Sequence, residues 1–403
     1  MESDSDPWKD FCMVEEDVQR WVCEIRRDVD DEVEPGESFE QLDPVKVAAA
    51  RAEELAYMQK RGLWKVVPTP PGVVPVSVRW VDVLKAEGTT RSRLVARDFK
   101  GGDRGRDDLF AATPPLEAVR MLLSRAATNT PSRLRRKLMF IDAKKAHLNP
   151  RCVEDVYIEL PEESGEGPGL CGKLEYWLYG FRKAASEWER FYSKKLEEAD
   201  FQRGSGCPVL FYHREKDLAV AVHGDDFVIC GYGVDLLWAA EYIARCFEVK
   251  VRATLGEDPQ DDKEVTVLGR QVRWCTWGIA YEANDRHRRV LLEKFGLDEN
   301  SKALHHNGEA LGGEDSDDDA EFLVGVEATE FRACVARLNF LGQDSPVLQF
   351  PAKEPSKEMS NPTAGSWRRL KKVARFLVGR RRVVWEFGWQ EEPGGVHVFA
   401  DSD

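Results

Sequence analysis

LAVAVHGDDFVIC, residues 218–230, sets two adjacent carboxylates, Asp225 and Asp226, between two apolar runs of β type. Adjacent acids mean little by themselves in a chain with 72 acidic residues, and Asp30-Asp31, Asp107-Asp108, Asp261-Asp262 and Asp317-Asp318 are further pairs. Only Asp225-Asp226 is framed by apolar runs on both sides, which predicts the turn of a hairpin whose strands are buried. Carboxylates so near a core are costly, and clustered ones repel each other unless a cation neutralises them. The apolar run Leu138–Ile141 ends in Asp142, so another buried strand delivers a third carboxylate at its C-terminal end. Oxygen ligands favour Mg2+ over zinc, with Mn2+ as a substitute. Two such ions about 3.5–4 Å apart would activate a hydroxyl and stabilise a leaving pyrophosphate. The spacing equally suits a tight acidic turn plus one capping Asp, and both readings stay open at this point.

Working outward, Asp43-Pro44 supplies an N-cap followed by proline at the first helical position, and Val47, Leu55 and Met58 predict a helix over 44–60, ending before Gly62. From Trp64 to Arg97 the pattern turns to short β-type runs, VSVRWVDVLK and RLVAR about the turn EGTT, which reads as a hairpin. A helix is expected after Pro115, with Val119, Leu122, Leu123 and Ala126 on one face. Further helices are expected over 183–199, 234–246, 288–295, 329–342 and 366–378. Strands are expected at 209–213, 218–222 and 227–230, a strand pair at 265–274 and 279–282, and a β-like end.

The 403 residues suffice for two or three domains with ordinary cores. No apolar run is long enough for a membrane span and no secretory leader opens the chain, so an intracellular location (cytoplasm or nucleus) is expected. The nine scattered cysteines form no CxxC pair and read as reduced, packing thiols. A formal charge of -14 weighs against nucleic-acid binding by the chain taken as a whole. However, acid concentrates in the first forty residues, in 257–264 and in 314–319, while basic residues gather in 91–100, 133–137, 367–372 and 379–382. Those basic groups are candidates for phosphate contact, or simply solvated faces.

Several motifs in fixed order resemble the reverse transcriptase region of copia-type retrotransposon Pol polyproteins. FIDAKKAHLNP (140–150) with EDVYIELPE (154–162) is similar to the family's first catalytic motif. YWLYGFRKAASEW (176–188) is similar to its "SLYGLKQAPRQW" segment, and AVHGDDFVICG (221–231) to its "YVDDLLV" hairpin. FEVKV (247–251), VLGRQV (267–272), WKVVPTPPG (64–72), VRWVDVLK (78–85), RLVARDF (93–99), FRACVARLNFLGQDSP (331–346) and EMSNPTAGSWRRLKKVARFLVG (358–379) continue the likeness.

The resemblance implies an RNA-directed DNA polymerase with Mg2+ as cofactor, and a template with primer and dNTPs as partners. Asp142, Asp225 and Asp226 would be catalytic, with Asp142, Asp225 and the Ala143 carbonyl on the metal. Lys85 and Arg97 would contact the triphosphate, while His147, Tyr179, Gly180 and Lys183 would line the nucleotide pocket. His223 and Gly224 would meet the primer end. The chain departs from the family's pattern at four of these places. His147 replaces an aromatic gate against the ribose 2′-hydroxyl, His223 and Gly224 replace an aromatic and an apolar residue, and Lys183 replaces glutamine.

The implied fold is α+β, a right-hand polymerase: an acidic tail over 1–42, a leading helix over 43–63, fingers over 64–135 and a palm with antiparallel sheet over 136–275. A thumb region over 276–313, an acidic linker over 314–322 and connection helices over 323–382 would follow. Residues 383–403 resemble the start of a ribonuclease H domain, with Asp401 at its first carboxylate position; one strand builds no such site, so no ribonuclease H activity is expected. The rivals are a degenerate copy that at most binds nucleic acid, and an unrelated two-metal nuclease or nucleotidyltransferase.

Overall fold

The computed structural model describes residues 42–84, 88–98, 115–130, 135–305 and 321–395. It is a mixed α/β structure with antiparallel sheets, in two units. The larger unit takes the described residues up to Val265 together with Arg273–Ile279 and those from Phe387 onward; the smaller takes Thr266–Val272 and the described part of Ala280–Glu386.

The larger unit begins with helix α1, Pro44–Arg61. Its ends follow from local chemistry. The Asp43 carboxylate accepts from the Val45 amide at 2.9 Å, and Gly62 closes the helix at φ +66°. The expected hairpin forms from β2 (Val78–Leu84) and β3 (Thr90–Ala96), paired antiparallel. A small sheet joins β1 (Trp64–Pro68) to β6 (Leu170–Leu174) and β6 to β5 (Tyr157–Ile158). Helix α2 (Leu116–Ala126) buries the four residues expected on its inner face, Val119, Leu122, Leu123 and Ala126.

The main sheet has six strands: β4 (Lys137–Ala143), β7 (Gln202–Arg203), β8 (Leu210–His213), β9 (Leu218–His223), β10 (Asp226–Gly231) and β11 (Val249–Leu255). Their order is β11-β4-β10-β9-β8-β7, so β4 sits between two partners from later in the chain. Helices α3 (Arg182–Glu197) and α4 (Gly233–Cys246) cover one face. Met139, Ile141, Val220, Val222, Phe227 and Ile229 meet Trp188, Tyr192, Leu196, Leu236 and Ile243 there in one core. Each such buried side chain contributes about 1.5–3 kcal/mol. Side chains alternate along a strand, so Phe140, Asp142, Asp226 and Val228 point to the opposite face.

The run 265–274, expected as one strand, is two: β12 (Glu264–Val267) and β13 (Arg270–Cys275). Leu268 and Gly269 break it with φ of +51° and +68°. β14 (Gly278–Ala283) and β15 (Val384–Gly388) complete a four-stranded sheet in sequence order.

The smaller unit packs α5 (Arg286–Lys294), α6 (Gly325–Gly342), α7 (Pro346–Ser356) and α8 (Ala364–Val378) about Leu291, Phe331, Val335, Leu338, Val373 and Leu377. Thr363 and Ser366 form a capping box for α8. Helix α7 was not expected, because Pro351 and Pro355 lie inside it and proline there forfeits backbone hydrogen bonds. Its buried face, Leu348, Pro351, Ala352 and Pro355, nevertheless has helical spacing. Arg270 and Asp344 form a fully buried ion pair at 2.9 Å.

The acidic tail (apart from Leu42), most of the acidic linker, and the stretch VHVFADSD with Asp401 lie outside the described residues.

Candidate active site

Four polar side chains form one cross-strand row on the face of the main sheet away from α3 and α4. His223 lies opposite Asp226, Asp226 opposite Asp142, and Asp142 opposite Lys250, across β9, β10, β4 and β11. Directly opposed residues of antiparallel strands share a face, with Cα atoms about 4.5–5.5 Å apart. Asp226 is buried, Asp142 and His223 are half-buried, and Lys250 is exposed. The residues beside them in sequence, Ile141 and Phe227, enter the core instead. Strand alternation thus lets an apolar run hold a carboxylate.

The hairpin turn is the two-residue loop Gly224-Asp225, both exposed. Gly224 has φ +61°, and glycine at the first central position is what a type II′ hairpin turn uses. The departure from the family at Gly224 therefore suits the turn. Both turn carbonyls are held. The indole Nε1 of buried Trp188 donates to the Gly224 carbonyl at 2.7 Å, and the Ala143 amide donates to the Asp225 carbonyl at 2.8 Å. The row thus pairs Asp142 with Asp226, while Asp225 stands one position away in the turn.

Cations surround these acids. Arg252, at the β11 irregularity between Val251 and Ala253, places Nη1 3.4 Å from Asp226 Oδ1. Carboxylate oxygens are donors of the kind a hard divalent ion takes. Among the described residues, no group of three or more His, Cys, Asp or Glu side chains is close enough to hold a metal by itself.

The other expected site residues are distributed as follows. His147 occupies a 3-10 turn, Ala146–Leu148, with its ring edge-on to Tyr179 at 5.9 Å. Arg93 lies over the Tyr179 ring at 5.9 Å, and burial pushes the Tyr179 hydroxyl above its ordinary range. Gly180 has φ +86°, and a Cβ there would stand 2.1 Å from the Ala96 carbonyl, so its close approach is to the β3 backbone. Lys183 is ion-paired with Glu154. Arg97 is exposed at the end of the β2-β3 hairpin, its amide donating to the Ser77 carbonyl at 2.8 Å. Lys85 lies outside the described residues.

Three of the basic groups contribute to ion pairs. Arg135 pairs with Glu257, Arg136 with Asp217, and Lys137 with Asp258 and Asp261. Arg369 pairs with Glu358, Arg381 with Glu299, and Arg382 with Glu282. The described cysteines are free, and burial pushes the Cys230 thiol up to about 12. Sequence reasoning missed Trp188 as the support of the turn, and Lys250 and Arg252 as neighbours of the acids. The alternating charges of VKVR (249–252), read as a strand beside Asp142, were the available signal.

Residues 61–257 match the family model of the reverse transcriptase, an RNA-dependent DNA polymerase. The matched stretch contains the whole carboxylate row and both anchors of the turn. The retrovirus-related Pol polyprotein from transposon TNT 1-94 of Nicotiana tabacum is 28% identical over 264 residues, 62% of this chain and 19% of its own length. The retrovirus-related Pol polyprotein from transposon RE2 of Arabidopsis thaliana is 23% identical over 370 residues, 86% of this chain and 23% of its own. The chain spans about a fifth of the length of these curated relatives. The resemblance to retrotransposon Pol polyproteins holds. Among the described residues, no helix is long and apolar enough to cross a membrane.

Proposed function

We propose that the chain is an RNA-directed DNA polymerase of a copia-type retrotransposon, adding deoxynucleotides to a primer 3′-hydroxyl on an RNA or DNA template. The observation that carries this reading is the in-register opposition of Asp142 and Asp226, with Asp225 in the adjoining turn, inside a reverse transcriptase stretch. In the right-hand arrangement the fingers would take 64–135, the palm 136–275 and the thumb region 276–313.

Asp142 and Asp225, with Asp226 and the Ala143 carbonyl beside them, would hold Mg2+; the bound ions would supply Lewis-acid activation of the primer hydroxyl and charge neutralisation on the leaving pyrophosphate. The chain's own residues do the rest by positioning and by fixed charge. Arg97 and Lys85 orient the triphosphate. Tyr179 and His147 bound the sugar, and Gly180 and Lys183 shape the pocket behind them. His223 and Gly224 lie where a primer end would rest against the hairpin.

A second reading is favoured by one observation. Arg252 sits against Asp226, which would offset that carboxylate's charge in a remnant that binds nucleic acid without polymerising. Incorporation of dTTP on poly(rA)/oligo(dT), with Mg2+ and then Mn2+, separates the two. Loss of incorporation in Asp142→Asn and Asp225→Asn, with wild-type activity and retained duplex binding, supports the polymerase. A folded wild-type chain that binds the duplex and adds nothing supports the remnant.

A further inference from the structure

Helix α1 lies almost wholly upstream of the reverse transcriptase stretch, yet three of its side chains end on the turn that follows Asp142. Glu54 is buried at 8% exposure, and its Oε2 accepts from Lys145 Nζ at 2.5 Å. The same ammonium lies 3.4 Å from the centre of the Tyr57 ring. One turn further on, Arg61 Nη2 donates to Asn149 Oδ1 at 2.8 Å. The Arg61 guanidinium also lies 5.6 Å from the Tyr176 ring, and Arg151 5.1 Å from it.

The backbone at this turn explains why such anchoring is needed. Lys145 has φ +51° and ψ +43°, the left-handed region that residues with a Cβ seldom occupy. A lysine stands there although glycine would be easier, and its side chain makes two contacts to α1. Charge-assisted bonds of this kind, shielded from water, are the strong ones. Leu148 packs in the same cluster as Met58 and Leu63, at and just beyond the end of α1. His147 is thus carried between two anchored positions, 145 and 149, and its ring abuts Tyr179.

We infer that α1 is a positioning element of the nucleotide pocket: Glu54 and Tyr57, acting through Lys145, fix the turn that sets His147 beside Tyr179 and thereby set affinity for the incoming nucleotide. The identity of that ligand rests on the polymerase reading, whereas the anchoring does not. Glu54, Tyr57 and Lys145 are positioning residues that act through the turn and His147.

The test uses the full chain. Amide hydrogen exchange of residues 145–149 is measured in wild type, Glu54→Ala, Glu54→Gln and Lys145→Gly, alongside kcat and KM for dTTP on poly(rA)/oligo(dT). Glu54→Ala and Lys145→Gly are expected to speed exchange in this turn by about tenfold, since local opening reports local anchoring. KM for dTTP should rise about five- to twentyfold with kcat within about twofold, the pattern of lost ground-state positioning. Glu54→Gln keeps the acceptor and should recover part of both effects. Unchanged exchange overturns the inference, and so does faster exchange with unchanged KM. If Glu54→Ala does not fold, Lys145→Gly decides, because it also relieves the backbone. A wild-type chain that adds no dTTP overturns the polymerase reading and the nucleotide clause with it, and the exchange comparison then decides the anchoring alone.

Discussion

The Trp188 indole, buried in α3, donates to the Gly224 carbonyl at 2.7 Å, so the turn carrying Asp225 is bolted from beneath by a side chain 36 residues earlier. Trp188→Phe keeps much of the ring but leaves that carbonyl without its donor. The expected loss is about 1–3 kcal/mol. Denaturant unfolding reads the stability and primer extension the activity; an unchanged midpoint and rate would show that the bond positions nothing.

At Gly224 a Cβ would meet nothing within 4 Å, so any penalty there comes from φ +61° alone. Gly224→Ala should destabilise the chain by about 1–2 kcal/mol, and Gly224→Val by more because β-branching narrows the backbone further. Equal stability of all three chains in thermal melts would contradict this account.

Gly180 presents a different problem. A Cβ there would meet the Ala96 carbonyl at 2.1 Å and the Ala96 amide nitrogen at 2.9 Å, both backbone atoms of β3. Gly180→Ala must displace the β2-β3 hairpin, at about 3 kcal/mol or more. Limited proteolysis of the hairpin, compared with Gly224→Ala, checks that the damage is local to this contact.

His287 predicts a pH dependence. Burial, reinforced by Arg337, Arg286 and Arg270, lowers its pKa to about 3. The unfolded chain takes up a proton near the ordinary value of about 6.5, and the folded one does not. The neutral ring's contribution is therefore full above that value and is lost progressively as pH falls toward about 3. His287→Phe should flatten the fall in stability between pH 7 and 5, since the ring already packs 4.2 Å from Phe340 and its Nδ1 has no hydrogen-bond partner among the described residues. Parallel pH profiles for the two chains would refute the assignment.

The legible parts of the molecule were those governed by local period and by caps. Asp43, Pro44 and Gly62 bounded α1, and the framing of Asp225-Asp226 by apolar runs gave the hairpin. Helix α7 was hidden because its prolines argue against a helix locally, and only their burial beside Leu348 and Ala352 outweighs that. The pairing of Asp226 with Asp142 depends on sheet order, which no local pattern encodes. So do the contacts of the Arg252 side chain with that of Asp226 and of the Trp188 indole with the Gly224 carbonyl, each made between residues far apart in sequence.

The place of β4 between β10 and β11 has a consequence for synthesis. Both of its neighbours emerge from the ribosome long after it does, on the order of 10 s later at the usual elongation rates. During that interval an apolar strand with two open edges waits unpaired. The strand that delivers Asp142 is therefore open to mispairing on the nascent chain until both neighbours have been made.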